Sequence, residues 1–270
     1  MRIKNKPKMK DIEDIGRQAT ELVKEVGRFI KEQRAQFDAS KIEHKGLHDY
    51  VSYVDKTSER QLVDGLSKIL PGSGFLVEEN TAGHTNEEFV WIIDPLDGTT
   101  NFLHNVYPFA ISVALRQGDK TVLGIVYELG RDEFFYSCGN GAFCNGQPIS
   151  ASAAPDLEQS LIVTGFPISK YGRLDGHVAT VKEIVLHSQG IRRTGSAASD
   201  LAYVACGRFD GYFEYGLNPW DVAGGAFIAQ QAGAIVSDYR GGTDYLFGGE
   251  ILAASKNVYP RLLEILKSNM

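Results

Sequence analysis

The stretch Trp91-Ile92-Ile93-Asp94-Pro95-Leu96-Asp97-Gly98-Thr99-Thr100-Asn101-Phe102 sets two carboxylates three positions apart across a proline-restricted turn, directly after a short apolar run. Such a run, bounded by turn residues, reads as the end of a buried strand. Strand ends that open into polar turns are where α/β proteins tend to place chemistry. Asp94 and Asp97 can face one point with the Leu96 carbonyl between them, and oxygen donors packed this way suit a hard cation such as Mg²⁺. Gly98 lets another group approach the backbone. If Asp97 caps a short helix, the N–H groups of Gly98 and Thr99 form an anion site. The pattern fits a metal beside a phosphate, but Asp-x-x-Asp-Gly also occurs in ordinary Asx turns, so a site needs further acids.

Two other places supply them. Gly74-Phe75-Leu76-Val77-Glu78-Glu79-Asn80 is an apolar run ending in paired acids, and Pro219-Trp220-Asp221-Val222-Ala223-Gly224-Gly225 puts an acid at the start of a small-residue helix. Glu79 is as readily a solvent-facing neighbour as a ligand, because adjacent strand residues face opposite ways. Asp221 is equally explained as a helix N-cap. Gly224 and Gly225, however, each cost a helix roughly 1 kcal/mol against Ala, which points to close backbone packing there.

In this order, Val77 to Asn80, Trp91 to Phe102 and Trp220 to Gly225 resemble the inositol monophosphatase family of Mg²⁺-dependent, lithium-sensitive phosphatases. Gly141-Ala142-Phe143-Cys144-Asn145-Gly146-Gln147 and Gly190-Ile191-Arg192-Arg193-Thr194-Gly195-Ser196-Ala197-Ala198 extend the similarity to nearly the whole chain, the latter in its bacterial form. The resemblance implies a layered αβαβα sugar-phosphatase architecture of the α+β / α/β class, with an antiparallel N-terminal sheet and a smaller mixed C-terminal sheet. It also implies two or three Mg²⁺ ions per site. One would be held by Glu78, Asp94 and the Leu96 carbonyl, and a second by Asp94, Asp97 and Asp221. Glu78, assisted by Thr99 and Asp55, would activate the attacking water. Asp97, Gly98, Thr99, Gly195, Ser196, Ala197, Glu214 and Asp221 would contact substrate. Lys45 and Asp49 would fall in a metal-shielding loop, and the family commonly forms homodimers.

The 270 residues, 43% of them hydrophobic, are enough for a sizeable core. A net charge of −6 with interspersed signs offers no basic stripe, so no nucleic acid partner is expected. The basic N-terminus is followed by no apolar run of a secretory signal, and no run approaches membrane-spanning length. Cys138, Cys144 and Cys206 form no C-x-x-C and are an odd count, so they read as reduced thiols of a cytoplasmic protein. The six histidines, His44, His48, His84, His104, His177 and His187, lack ligand spacing for zinc.

These motifs need elements to position them. Ile12, Ile15, Ala19, Leu22, Val23, Val26 and Ile30 keep helical spacing over about residues 11–36. A hairpin or loop spans Lys41 to Tyr53. A second amphipathic helix follows, with Asp55 as its N-cap, as the family's partner of Thr99, or as both. Phe109–Arg116, Thr121–Glu128 and Glu133–Ser137 form an antiparallel meander. After residue 150 strands and helices alternate: strand Leu161–Val163, helix Gly176–His187, extended Gly190–Thr194, helix Ser196–Cys206 and strand Tyr212–Tyr215. Helix Val222–Ala232, strands Ala234–Ser237 and Ile251–Ala254, and helix Tyr259–Lys267 complete the chain. Residues 1–150 therefore read as an α+β half carrying the main metal and phosphate motifs. Residues 151–270 read as an α/β half supplying Asp221 and substrate contacts, with the acids at the junction. Trp91 and Trp220 are expected in the core.

The expected activity is hydrolysis of a small phosphorylated polyol or sugar, foremost inositol 1-phosphate. Ile168 stands where animal members of the family contact inositol through a hydroxyl. Fructose 1,6-bisphosphate and histidinol phosphate remain open as substrates. Sulfur-assimilation nucleotide phosphatases carry Asp-Gly-Thr-Lys-Glu-Phe where this chain has Asp97 to Phe102, which disfavours them. Haloacid-dehalogenase chemistry needs Asp-x-Asp, one residue shorter than Asp94 to Asp97. A different alternative is a regulatory binding protein with a residual metal site.

Overall fold

The computed structural model describes residues 9–36, 42–46, 49–79 and 86–270. Helix α1 (Met9–Ala35) buries Ile12, Ile15, Ala19, Val23, Val26 and Ile30 along one stripe, as their spacing requires. The strands β1 (Ile42–Gly46) and β2 (Asp49–Ser52) form a separate antiparallel hairpin. It carries Lys45 and Asp49, whose side chains lie outside the described residues. Helix α2 (Tyr53–Ile69) follows without a loop.

Seven strands build the larger sheet: β3 (Gly74–Val77), β4 (Phe89–Asp97), β5 (Ala110–Gln117), β6 (Lys120–Glu128), β7 (Glu133–Ser137), β8 (Ala142–Cys144) and β9 (Gln147–Ile149). They lie in sequence order. The expected meander is β5 to β7, but the sheet is not wholly antiparallel, because β3 runs parallel to β4. That parallel pair turns Glu78, just past β3, and Asp94, near the end of β4, toward the same edge. A short helix, α3 (Thr99–Leu103), follows β4.

The second sheet is mixed, in the order β11-β10-β12-β14-β13. Its strands are β10 (Leu161–Thr164), β11 (Gly190–Arg192), β12 (Gly211–Tyr215), β13 (Ile235–Ser237) and β14 (Glu250–Ala254). Helices α4 (Leu174–His187), α5 (Ala197–Ala205), α6 (Pro219–Gln231) and α7 (Tyr259–Asn269) complete the chain. Three apolar clusters define the layers. α1 and α2 pack on one face of the larger sheet with Trp91, Ile93, Ile111, Val113 and Leu115. α5 and α6 fill the space between the sheets, while α4 and α7 cover the far side of the smaller sheet. The result is the expected αβαβα stack.

Strand alternation decides what faces the middle layer. On β4, Trp91 and Ile93 point to α1 and α2, while Ile92 packs with Ala223 of α6. Asp94 therefore falls on the α6 side. α6 lies against the sheet backbone: a Cβ on Gly224 would meet the Ile125 carbonyl at 3.0 Å and the Val113 carbonyl at 3.2 Å. A Cβ on Gly225 would meet the Leu201 Cβ of α5 at 2.6 Å. The two glycines thus let one helix wedge between a sheet and a second helix. Trp91 is fully buried, as expected, whereas Trp220 is only half-buried.

Candidate active site

The acids predicted from sequence do meet. Glu78, Asp94, Asp97 and Asp221 line one cavity of about 460 Å³, together with Leu96, Gly98, Thr99, Gly195, Ser196, Ala197 and Glu214. Asp55 stands behind it, fully buried. Glu79 does not line the cavity; its N–H donates to the buried Glu59 carboxylate at 2.7 Å. Asn80, at the end of that motif, lies outside the described residues.

Local irregularity in β4 puts Asp94 and Asp97 on one face. Asp94 pairs with Ser112 and Asp97 with Ala110, so three steps along β4 match two along β5. The extra residue cancels the alternation that would otherwise send the two side chains apart. Asp94 is 2% exposed, and its Oδ1 accepts from the Leu96 N–H at 2.9 Å.

Asp97 does not cap α3. The N-cap is Gly98, with φ of 87°, a conformation that favours glycine, and no side chain caps that end. Asp97 reaches instead to the start of α5, where Oδ2 accepts from the Ser196 hydroxyl at 2.6 Å and the Ala198 N–H at 2.7 Å. The carboxylate has gone to the N-terminus of the nine-residue helix, where free N–H groups and the helix dipole favour negative charge. Asp221 is likewise not an N-cap. α6 starts three residues earlier than its apolar run predicts, because Asn218 caps it and Pro219 opens it. Asp221 occupies the third helical position and accepts from the Asn218 N–H at 2.7 Å, closing a capping box.

Thr99 joins two parts of the site. Its hydroxyl lies 3.1 Å from Asp55 Oδ1 and 3.0 Å from the Leu96 carbonyl oxygen, and it donates to one at a time. Glu214 accepts from the Tyr212 hydroxyl at 2.8 Å. Asn101 Nδ2 donates to the carbonyls of Pro108 and Thr194, 2.7 and 2.8 Å away, which ties α3 to the segment leading into α5.

Burial and mutual repulsion raise the pKa values of Asp94, Asp97, Asp221 and Glu214. Burial, then the charges of Glu78, Asp97 and Asp221, push Asp94 well above the usual carboxylate range. Burial raises Asp97 to about 6, against the hydrogen bonds from Ser196 and Ala198. Asp221 rises to about 7 through burial and the Asp97 charge, and Glu214 to about 8 through burial first, then the charges of Asp221 and Asp97. A concentration of acids that repel one another in a buried cavity is chemically matched to a multivalent cation. Among the described residues, however, no three acid, histidine or cysteine side chains are already drawn into a metal-binding shell. Asp94, Asp97 and Asp221 each spend an oxygen on a backbone N–H instead.

Ile168 lines the cavity, as its place in the family pattern implies, whereas Thr100, His104, Arg193, Leu217, Tyr171 and residues 165–167 line it without having been among the expected contacts. Arg193 follows directly from its place two residues before Gly195, over which its guanidinium lies; a Cβ there would meet its Nη1 at 2.7 Å. Phe166, Leu217 and Tyr171 carry no sequence signal of a site.

The Inositol monophosphatase family model matches residues 11–270. Nus factor SuhB of Escherichia coli strain K12 is 38% identical over 254 residues, covering 93% of this chain and 94% of that protein. An inositol-1-monophosphatase of Mesorhizobium japonicum is 38% identical over 243 residues, 89% of this chain and 91% of the relative. The structure of inositol monophosphatase from Anabaena superposes with a TM-score of 0.84 at 32% identity, covering 97% of this chain and 98% of that one. With its cavity of strand-end and helix-start acids, αβαβα layering and a match over nearly its full length, the chain belongs to the inositol monophosphatase family.

Proposed function

We propose that this member of a family of metal-dependent phosphatases hydrolyses phosphate monoesters with Mg²⁺, inositol 1-phosphate foremost. The observation that carries the reading is the convergence of Glu78, Asp94, Asp97 and Asp221 on one cavity where their charges oppose one another. Glu78, Asp94 and the Leu96 carbonyl would hold one cation, and Asp94, Asp97 and Asp221 a second. Bound there, divalent cations lower the pKa of coordinated water and neutralise phosphate oxygens.

The chain's own groups do the rest. Glu78 takes the proton of the attacking water, and Thr99, held by the buried Asp55, orients that water through its hydroxyl. Gly98 and Thr99 present N–H groups to the phosphate. Glu214 and the start of α5 at Gly195, Ser196 and Ala197 receive the hydroxyls of the leaving alcohol. On this reading residues 1–150 carry the metal and phosphate groups, and residues 151–270 supply Asp221 and the leaving-group contacts. A cytoplasmic homodimer is the expected form.

The test is phosphate release from inositol 1-phosphate, fructose 1,6-bisphosphate, histidinol phosphate and 3′,5′-bisphosphorylated adenosine, with and without Mg²⁺ and Li⁺. Mg²⁺-dependent, Li⁺-inhibited release abolished by Asp94→Asn is the expected result. Absence of release from every ester would overturn it. The similarity to a relative named as a Nus factor favours a second reading, a regulatory partner whose site is residual. Full complementation of a deletion by Asp94→Asn would support that reading instead.

A further inference from the structure

A second cavity, of about 340 Å³, opens beside the turn between β5 and β6 and shares no lining residue with the cavity of the acids. Arg116, near the end of β5, lines it with Lys120, with Phe227 and Gln230 of α6, and with Tyr245 and Phe247 of the loop that leads into β14.

The Arg116 charge has no close partner there. Its side chain is only 16% exposed, and its Nε is sealed from water without a hydrogen bond. Its ion pair is with Asp119, 3.7 Å away and so beyond hydrogen-bond reach, on a side chain wholly open to water. Such a pair contributes little, whereas a guanidinium drawn out of water needs acceptors for its N–H groups. The other acid of the lining, Asp244, turns toward its own loop, where a Cβ on Gly248 would meet Asp244 Oδ2 at 3.2 Å.

The walls are already fixed around that charge. The guanidinium carbon lies over the Phe247 ring, 5.0 Å from its centre, and Phe247 is itself 55% exposed. The Gln230 side-chain amide donates to the Tyr245 hydroxyl at 3.0 Å, which joins the loop to α6. Between Tyr245 and Phe247, Leu246 packs with Ile92 of β4 and Ala223 of α6 and anchors the loop. An arginine held this way offers a planar fork of donors that matches a carboxylate or phosphate group, and the open ring beside it offers apolar surface to whatever carries that group.

We propose that this cavity is a separate binding site for a small organic oxyanion, a carboxylate or phosphate-like group on a flat apolar body. Arg116 and Lys120 hold the charged group, and Phe227 and Phe247 receive the body.

The test is a calorimetric titration of the full chain, freed of metal by a chelator, with phenylphosphonate, inorganic phosphate and benzylammonium. The expected result is one phenylphosphonate per chain with a Kd of about 1 mM or tighter, weaker binding of phosphate, and none of benzylammonium. Arg116→Met should weaken phenylphosphonate by at least about tenfold, and Arg116→Lys should restore only part of it, because a lysine lacks the fork. Asp94→Asn should leave the affinity unchanged, which separates this cavity from that of the acids. If Arg116→Met does not fold, two rim substitutions carry the test. Lys120→Met should then weaken both anions, and Phe247→Ala phenylphosphonate alone. Absence of phenylphosphonate binding up to about 10 mM would overturn the proposal. So would an affinity that Asp94→Asn changes, one that the Arg116 or rim substitutions leave intact, or benzylammonium binding as tightly as the anion.

Discussion

The Ser196 hydroxyl donates to Asp97 Oδ2 at 2.6 Å across 99 positions of sequence, and the adjoining Ala198 N–H donates to the same oxygen at 2.7 Å. One carboxylate therefore serves the β4 turn and the first turn of α5 together. The β4 acids are fixed relative to Gly195, Ser196 and Ala197 by the site's own hydrogen bonds.

Ser196→Ala removes the hydroxyl that also accepts from the Ser199 N–H as the N-cap of α5. Loss of such a cap costs about 1 kcal/mol, which lowers Tm by roughly 2–4 °C in a chain of this size. Phosphate release should fall less than in Asp97→Asn, since Ala198 still holds the carboxylate. Calorimetry beside a phosphate assay checks both; an unchanged Tm would remove the capping role.

The metal-free protein should lose stability as pH rises. Asp97, Asp221 and Glu214, raised to about 6, 7 and 8, keep protons in the folded state that the unfolded chain has released. Between about pH 4 and 8 the unfolded state therefore binds fewer protons, and unfolding becomes easier as pH increases. This is opposite to a salt-bridged carboxylate, whose pKa is depressed and whose stabilisation is lost on acidification. Mg²⁺ should flatten the profile, with its largest Tm gain near pH 8. A chelated sample whose Tm is level or rising from pH 5 to 8 would contradict it.

Much of this site was legible because the chain writes it in short segments. Asp94, Leu96, Asp97, Gly98 and Thr99 lie within six residues, and the continuous apolar run before Asp94 marks their strand. What was not legible depends on partners distant in sequence. Asp97 looked like a cap for α3 because its true partner is Ser196. Asp221 looked like the cap of α6, although Asn218-Pro219 three residues earlier carries the start signal. Nothing in Gly74–Val77 reveals that β3 runs parallel to β4, since alternation is blind to direction. β8 and β9, at three residues each, are too short to show a period. Phe166 reaches the cavity from a turn whose edge-on contact with the buried His177 ring no local pattern announces.

Asp94→Asn should separate stability from activity. Asp94 is 2% exposed and faces three other acids, so removing its charge relieves repulsion in the metal-free state. The expected outcome is a metal-free Tm at pH 8 equal to or above that of the unaltered chain, no Mg²⁺-induced rise, and phosphate release reduced by about 100-fold or more. Retention of the Mg²⁺ shift would exclude Asp94 as a ligand.

Thr99→Val keeps the side-chain shape and deletes the hydroxyl shared between Asp55 and the Leu96 carbonyl. If Thr99 orients the attacking water, kcat falls about 10²-fold while KM moves little, and Thr99→Ser restores most of the rate. Equal losses in the Val and Ser variants would show that the methyl group matters, not the hydroxyl.

Gly224→Ala tests how closely α6 must approach the larger sheet. The added Cβ would stand 3.0 Å from the Ile125 carbonyl and from Ser112 Oγ, and 3.2 Å from the Val113 carbonyl. Two of those three atoms are sheet backbone and cannot rotate away, so the helix must lift. In an exposed helix the same change would stabilise by roughly 1 kcal/mol, because Ala is the better helix former. Here overpacking is expected to destabilise by about 1–3 kcal/mol. The lift also carries Asp221, three residues before Gly224 on the same helix, away from Asp94 and Asp97. Activity should therefore fall even where the protein remains fully folded, and raising Mg²⁺ should recover part of it. A stabilised Gly224→Ala protein with unchanged Mg²⁺ dependence would mean that the helix does not need this contact to place its acid.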